Sequence, residues 1–382
     1  MGTCTRFPAT WLLLGFLATA LGCSDNSHAP LLPDSSVVLD AASISEGDAS
    51  DVDTPFAYVI NTKDPSVTVV ARNSQDIVRT IEFPDRVGVE SGHFGSVTAD
   101  GKRLWLCTDL QNATATGGAM ELYETTNFSL LKRFDVGCGV QNSLTQDGRF
   151  LFASSTKTNA INVFDVLGEA QLGSFDIGSA PHVGDFSPDG VTYYTSNANG
   201  GHVLGYDTSV LPATLPLPLV YDELLGTLMV HAIRVHPNGK YLFAGAGTST
   251  RVIALATQST ILELPGAPHN IAISPDARTL AIGDYSNQKL TLYDITTLSS
   301  DAVDPALITT SFTLPTPNYG VGHESWDPRT GKLWVTLIRT NPNDSRGLLM
   351  FIDTTVSPPV VEKTVQIGGG PHGVIFPGKK CE

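Results

Sequence analysis

Six histidines in this chain hold the same place in a recurring segment. His93, His182, His231, His269, His323 and His372 each stand seven residues ahead of the Asp of a turn, or of the residue replacing it. Val140 fills that place in a seventh copy. Neutral imidazole is a ligand for copper, zinc, iron or nickel, so the column is a set of candidate metal or haem ligands. Two other readings stand beside it. Copies made by duplication would share one strand-start residue, each ring bonding the backbone of its neighbour, or the rings would touch a substrate. His28, His202 and His236 fall outside the pattern and carry no assigned role.

Other local signatures of catalysis are absent. The chain has no G-x-S-x-G, no C-x-x-C and no phosphate-cradling glycine loop, and His323-Glu324 lacks the second His of H-E-x-x-H. A nucleophile and base brought together from distant segments would leave no such mark, so the sequence leaves open whether the protein is an enzyme.

The elements that must position the histidines are strands. HFGSVTADGKRLWL begins at His93, HVGDFSPDGVTYYT at His182, HAIRVHPNGKYLFA at His231, HNIAISPDARTLAI at His269 and HESWDPRTGKLWVT at His323. VQNSLTQDGRFLFA from Val140 is a divergent copy, and HGVIFPGKK from His372 a truncated one. The starts are 38 to 54 residues apart, which brackets the roughly 40–50 residues of a four-stranded propeller blade. Each turn is followed by a β-rich run such as Tyr241-Leu-Phe-Ala, and a third run often ends in aromatic-Asp, as at Phe164-Asp165 and Tyr293-Asp294. Leu211 to Leu228 reads as a long Pro-containing insertion in one blade.

The two ends complement each other. Residues 56–83 supply the last three strands of a unit, and His372 to Phe376 only a first strand. Joined, they complete a ring and leave no open sheet edge. The expected fold is therefore all-β, a seven-bladed β-propeller over 56–382 closed by pairing N- and C-terminal strands.

The units resemble the YVTN-type repeats of bacterial and archaeal envelope propellers. The match is carried by Pro181-His182 with Ser187-Pro188-Asp189-Gly190, Pro268-His269 with Ser274-Pro275-Asp276, Pro371-His372-Gly373, and Tyr58-Val59-Ile60-Asn61. The resemblance implies that the His-bearing strand is the innermost of each blade. The six imidazoles would then converge on one mouth of the central channel, as ligands of a transition metal (copper, zinc or iron) or a haem. It does not choose a function, since such propellers include lactonases, haem-binding oxidases and pure binding modules. The leading reading is a binding module for an envelope protein, a glycan or a small ligand. A metal- or haem-binding redox propeller is the first alternative, and a lactonase-like hydrolase the second.

The N-terminus points to export. Arg6, the apolar run Trp11–Leu21 and Gly22-Cys23 read as a secretory signal over 1–22. Ala20-Leu21-Gly22-Cys23 resembles the bacterial lipobox, which implies lipidation of Cys23 and attachment to an outer or periplasm-facing membrane; ordinary cleavage nearby would instead release a soluble protein. From Ser24 to Pro55 lie seven acids and no Lys or Arg, so 23–55 is expected to be a disordered tether. The net charge of −15 and the absence of a basic stripe argue against nucleic acid and against electrostatic adhesion to anionic lipid. Membrane contact is thus expected through covalent lipid only. Cys107 and Cys138 are expected near the His-bearing mouth, where they form a candidate disulfide, with two buried thiols as the alternative.

Overall fold

The computed structural model describes residues 54–83, 91–108, 118–137, 141–226, 229–266, 268–299, 308–341 and 346–377, without the side chains of 91–93 and 311. The signal, Cys23 and nearly all of the tether lie outside the described residues. The described chain forms seven four-stranded antiparallel sheets arranged as the blades of a propeller. Blades 1 to 6 span 91–134, 142–176, 181–224, 230–265, 268–315 and 319–367. The closing blade joins Phe56–Asn61, Ser66–Ala71 and Ile77–Glu82 to the C-terminal strand Pro371–Ile375.

Closure follows the sequence pattern to within a residue at each strand. Tyr58 faces Ile375 and Val59 faces Val374 across the joint. Thr62 and Lys63 donate backbone N–H bonds to the carbonyls of Gly370 and Gly369. The buried pair Arg72–Asp327 fastens the closing blade to blade 6, with the Arg72 guanidinium also lying 5.4 Å from the Phe376 ring centre.

Burial explains the layering. Second strands such as Phe150–Ser155 and Tyr241–Ala246 are buried on both faces, whereas the outer strand Leu130–Phe134 is largely exposed. The core is divided into seven apolar clusters, each built from two adjacent blades. The closing blade shares one with each neighbour, packing Tyr58 and Ile60 with Leu104 and Tyr123, and Val59 and Val374 with Trp334 and Phe351. Each blade therefore buries its apolar faces only when both neighbours are present.

The recurring turn has a chemical basis. In Ser187-Pro188-Asp189-Gly190 the Ser187 hydroxyl donates to Asp189 Oδ1 at 2.5 Å and accepts from Thr192 N–H, while Asp189 Oδ1 also accepts from Val191 N–H. Thr98/Asp100, Thr145/Asp147 and Ser274/Asp276 repeat this. Gly190, at φ +70°, ends the turn in the left-handed region that glycine enters without strain. One expectation needs correction: the span 211–228 is not all insertion. Leu219–Leu224 is the outer strand of blade 3, paired with His202–Asp207.

Candidate functional site

The inner strands break register at the His position. In blade 3 the irregularity falls between Pro181 and Gly184, in blade 4 between Val230 and Ala232, and in blade 5 between Pro268 and Asn270. The same occurs in blades 1 and 6 and at the closing joint. A bulge re-aims a side chain out of the ladder. Within these strands the part-exposed positions are His182 and His231, then Asp185 and Arg234 three residues on, with buried residues between. In a closed ring that exposure faces the central channel.

The imidazoles do converge. The His182 and His231 rings stack at 4.9 Å with 5° between planes. His231 meets His269 at 6.4 Å, and His269 lies 5.1 Å from His323 and 5.6 Å from His372. His323 and His372 are 5.6 Å apart. The backbone of His93 holds the matching place in the strand Ser91–Val97, but its side chain, like Val140, lies outside the described residues.

His323 departs from the expected register. Ser187, His236, Ser274 and Asp327 each donate their N–H to the carbonyl five residues on, which fixes equivalent turn starts. Five residues before the first three are His182, His231 and His269; five before Asp327 is Gly322. Thr195 Oγ1 donates to Val183 O, and Thr336 Oγ1 donates to His323 O, so His323 corresponds to Val183. The sequence alignment slips because the turn glycine comes one place later: Gly331 bonds Asp327 O, whereas Gly190 bonds Ser187 O. His323 is 3% exposed and meets Phe94 of blade 1 edge-to-face at 4.3 Å. The closing blade separates blades 1 and 6, so these two rings meet beside the axis as a buried plug. His182, His231, His269 and His372 stay part-exposed around it, which makes the mouth a cup.

Backbone carbonyls set the ring protons. His182 Nδ1 lies 3.1 Å from His231 O, His269 Nδ1 2.9 Å from Gly322 O, and His372 Nδ1 2.9 Å from Gly370 O. A carbonyl only accepts, so each Nδ1 carries the proton and each Nε2 the lone pair. The first two bonds cross to the next blade, as the strand-start reading of the histidines expects. Burial holds His269 and His231 below the usual imidazole pKa, with a smaller push on His231 from His269. Both are therefore neutral at pH 7. Among the described residues no three His, Cys, Asp or Glu side chains are gathered to hold a metal ion.

Sequence reasoning missed the charges behind the cup. Asp185 Oδ2 accepts from Val235 N–H at 2.9 Å and lies 3.9 Å from Arg234 Nη1, while Arg234 Nε donates to Ile271 O. Burial pushes the Asp185 carboxyl up, against the pull of Arg234 and two backbone N–H groups. Glu324 is fully buried between blades 5 and 6, where Oε1 accepts from Gly283 N–H. Desolvation pushes its carboxyl well above the usual carboxylate range. The one signal in the sequence was Gly283, a strand glycine that marks a close approach.

Cys107 is disulfide-bonded; Cys138, its expected partner, lies outside the described residues. An open cleft between blades 2 and 3 at the turn face is lined by Thr145, Asp147, Asp189, Gly190 and Thr208. Its Asp147 and Asp189 carboxylates are already engaged by their own turns, so the cup is the better candidate site. Among the described residues no helix is long and apolar enough to cross a membrane.

No protein-family model and no curated protein matches this sequence. The fold is similar to that of hydrazine synthase from Kuenenia stuttgartiensis, with 18% identity, a TM-score of 0.59, and coverage of 78% of this chain and 99% of that one. The dihydro-heme d1 dehydrogenase NirN in complex with DHE is 16% identical at a TM-score of 0.56, over 88% of this chain and 78% of that one. A functionally unknown protein from Desulfotomaculum acetoxidans DSM 771 gives 13% and 0.62, over 85% of this chain and all of that one (100%). At such identities the likeness establishes the fold alone.

Proposed function

We propose that this chain is an envelope propeller of the YVTN-repeat type, tethered through lipid on Cys23, that binds a small ligand in the imidazole cup at one channel mouth. The observation that carries the reading is the convergence of part-exposed histidines from blades 3, 4 and 5 and the closing blade on a single plugged mouth. The imidazoles offer a ligand flat faces, and a rigid ring of blades keeps them in place without reorganisation on binding.

A second reading, ligation of a transition metal or haem, is favoured by one feature. Metal-ligating histidines usually give their other N–H to a carbonyl or carboxylate, which fixes the tautomer, and His182, His269 and His372 each do so. The donor chemistry fits. The stacked His182 and His231 planes do not point at a common atom, so ligation by both would require a ring to rotate.

Native mass spectrometry of tag-free protein isolated from the cells that make it tests the proposal. A stoichiometric non-covalent adduct is expected in the parent and not in the His182→Ala/His269→Ala double variant, and its mass separates an organic ligand from metal or haem. The same spectrum from both proteins, or no adduct in the parent, would overturn it.

A further inference from the structure

On blades 3 and 4 the exposure does not stop at the histidines. Three residues further along the same strands, Asp185 and Arg234 keep 27% and 25% of their side chains exposed, and the residues between are buried. The matching places in the other blades hold Ser96, Ser143, Ala272, Ser325 and Ile375, none of them charged. Among the described inner strands the one other carboxyl or cation is Glu324, which is fully buried. In a ring of seven, blades 3 and 4 stand across from the closing blade. The plug of Phe94 and His323, made by blades 1 and 6, therefore lies on the opposite side of the axis.

We infer that the ligand of the cup is an uncharged molecule whose polar end, an edge that both donates and accepts hydrogen bonds, is seated on Asp185 and Arg234. The inference rests on the reading of the cup as a ligand site and names the class of that ligand. The reach suits a small molecule. A strand rises about 3.3 Å per residue, so the stacked His182 and His231 rings and the charged pair lie within about 10 Å of each other. Both side chains are aimed by the backbone. Arg234 Nε donates to Ile271 O, while Nη1 stands 3.9 Å from Asp185 Oδ2, beyond hydrogen-bond length. Its Nη groups therefore keep donors for a ligand. Asp185 Oδ1 accepts from Phe186 N–H and Oδ2 from Val235 N–H. A carboxylate has about four lone-pair sites, so each oxygen can accept once more. Fixed donors and acceptors side by side match the edge of a diol or of a carboxamide. Charge argues against an ion. An anion would gain from Arg234 and lose to Asp185, and a cation the reverse, so the pair selects a group that carries neither charge.

The probe is the compound that methanol extracts from the tag-free chain isolated from the cells that make it. It should pass unretained through both anion and cation exchangers at pH 7; retention on phenylboronate then marks a diol, and passage a carboxamide. Calorimetric titration of the extracted compound back into stripped protein reads the contribution of each side chain. Arg234→Met keeps the stem and removes the donors, and Asp185→Asn keeps an acceptor for Val235 N–H without the charge. Each should weaken rebinding by at least the roughly tenfold that a hydrogen bond to a charged group contributes. Ser325→Ala, at the matching place on blade 6, should leave it unchanged. The guanidinium ¹⁵N resonances of Arg234 should also shift on rebinding, which a residue that only braces blade 5 would not show. A compound held by either exchanger, parent affinity in both Arg234→Met and Asp185→Asn, or unshifted Arg234 resonances would each overturn the inference. Loss of the native adduct in His182→Ala/His269→Ala alongside any of these results would leave the cup as a ligand site and remove only the ligand class. An extract with no compound would remove both.

Discussion

Buried titratable side chains carry the sharpest expectations at the scale of single residues. Burial lowers the pKa values of His231 and His269, so their imidazole resonances should titrate with midpoints below 6.5 in NMR spectra. For such a group the unfolded chain binds the proton first as pH falls. Stability therefore drops as pH is lowered through 6.5 toward the folded values. Midpoints at or above 6.5 would mean the rings are not desolvated. Glu324 runs the other way. Its folded pKa is raised well above the usual range, so the folded state keeps a proton that the unfolded state releases, and stability falls as pH rises past the ordinary carboxylate pKa. Glu324→Gln keeps the bond from Gly283 N–H without an ionisable group. Its melting temperature should match or exceed the parent's at pH 8, with a smaller difference at pH 5. A variant less stable than the parent at both values would show that the carboxylate is needed charged.

At the scale of elements, the blade interfaces are tuned by paired choices on neighbouring sheets. Gly283 leaves the space that the Glu324 carboxyl and Val321 occupy; a Cβ there would come within 2.5 Å of Glu324 Oε2. Gly283→Ala should cost about 1–3 kcal/mol, as overpacking does, read as a lower denaturant midpoint with unchanged slope. A midpoint equal to the parent's would mean that blades 5 and 6 can shift apart freely. Such pairs explain where sequence reading stops. The blades, their turns and the column of histidines were legible because each is written within a few residues: a Ser/Thr-x-Asp-Gly turn, alternating strands, a Pro-His start. The contacts of Gly283 with Glu324, of Asp185 with Val235 and of Arg72 with Asp327 join residues 41, 50 and 255 apart, and no local pattern announces them. The His323 error had a local cause, a turn glycine displaced by one position.

For the whole molecule, the decisive feature is that the ring is closed by its own termini. Removing 370–382 takes away the inner strand of the closing blade together with Val374 and Ile375, which pack against both neighbours. The truncated chain should lose cooperative melting or aggregate, because an unpaired sheet edge and two apolar faces are exposed at once. Cooperative melting at the parent temperature would contradict closure. The tether makes a separate claim. Cys23→Ala should abolish fatty-acid labelling and move the protein to the soluble fraction, since acyl chains hold by burying CH₂ groups worth roughly 0.8 kcal/mol each. Unchanged membrane association in that variant would remove the lipid anchor from the account. The central claim is that ligand and imidazoles meet at one mouth, and ¹⁵N spectra of the histidine rings test it most directly. Comparison of the protein as isolated with the same protein stripped of its ligand should show shifts at His182, His231, His269 and His372, and none at His202 or His236. Unchanged cup resonances, or shifts confined to His202 and His236, would contradict it.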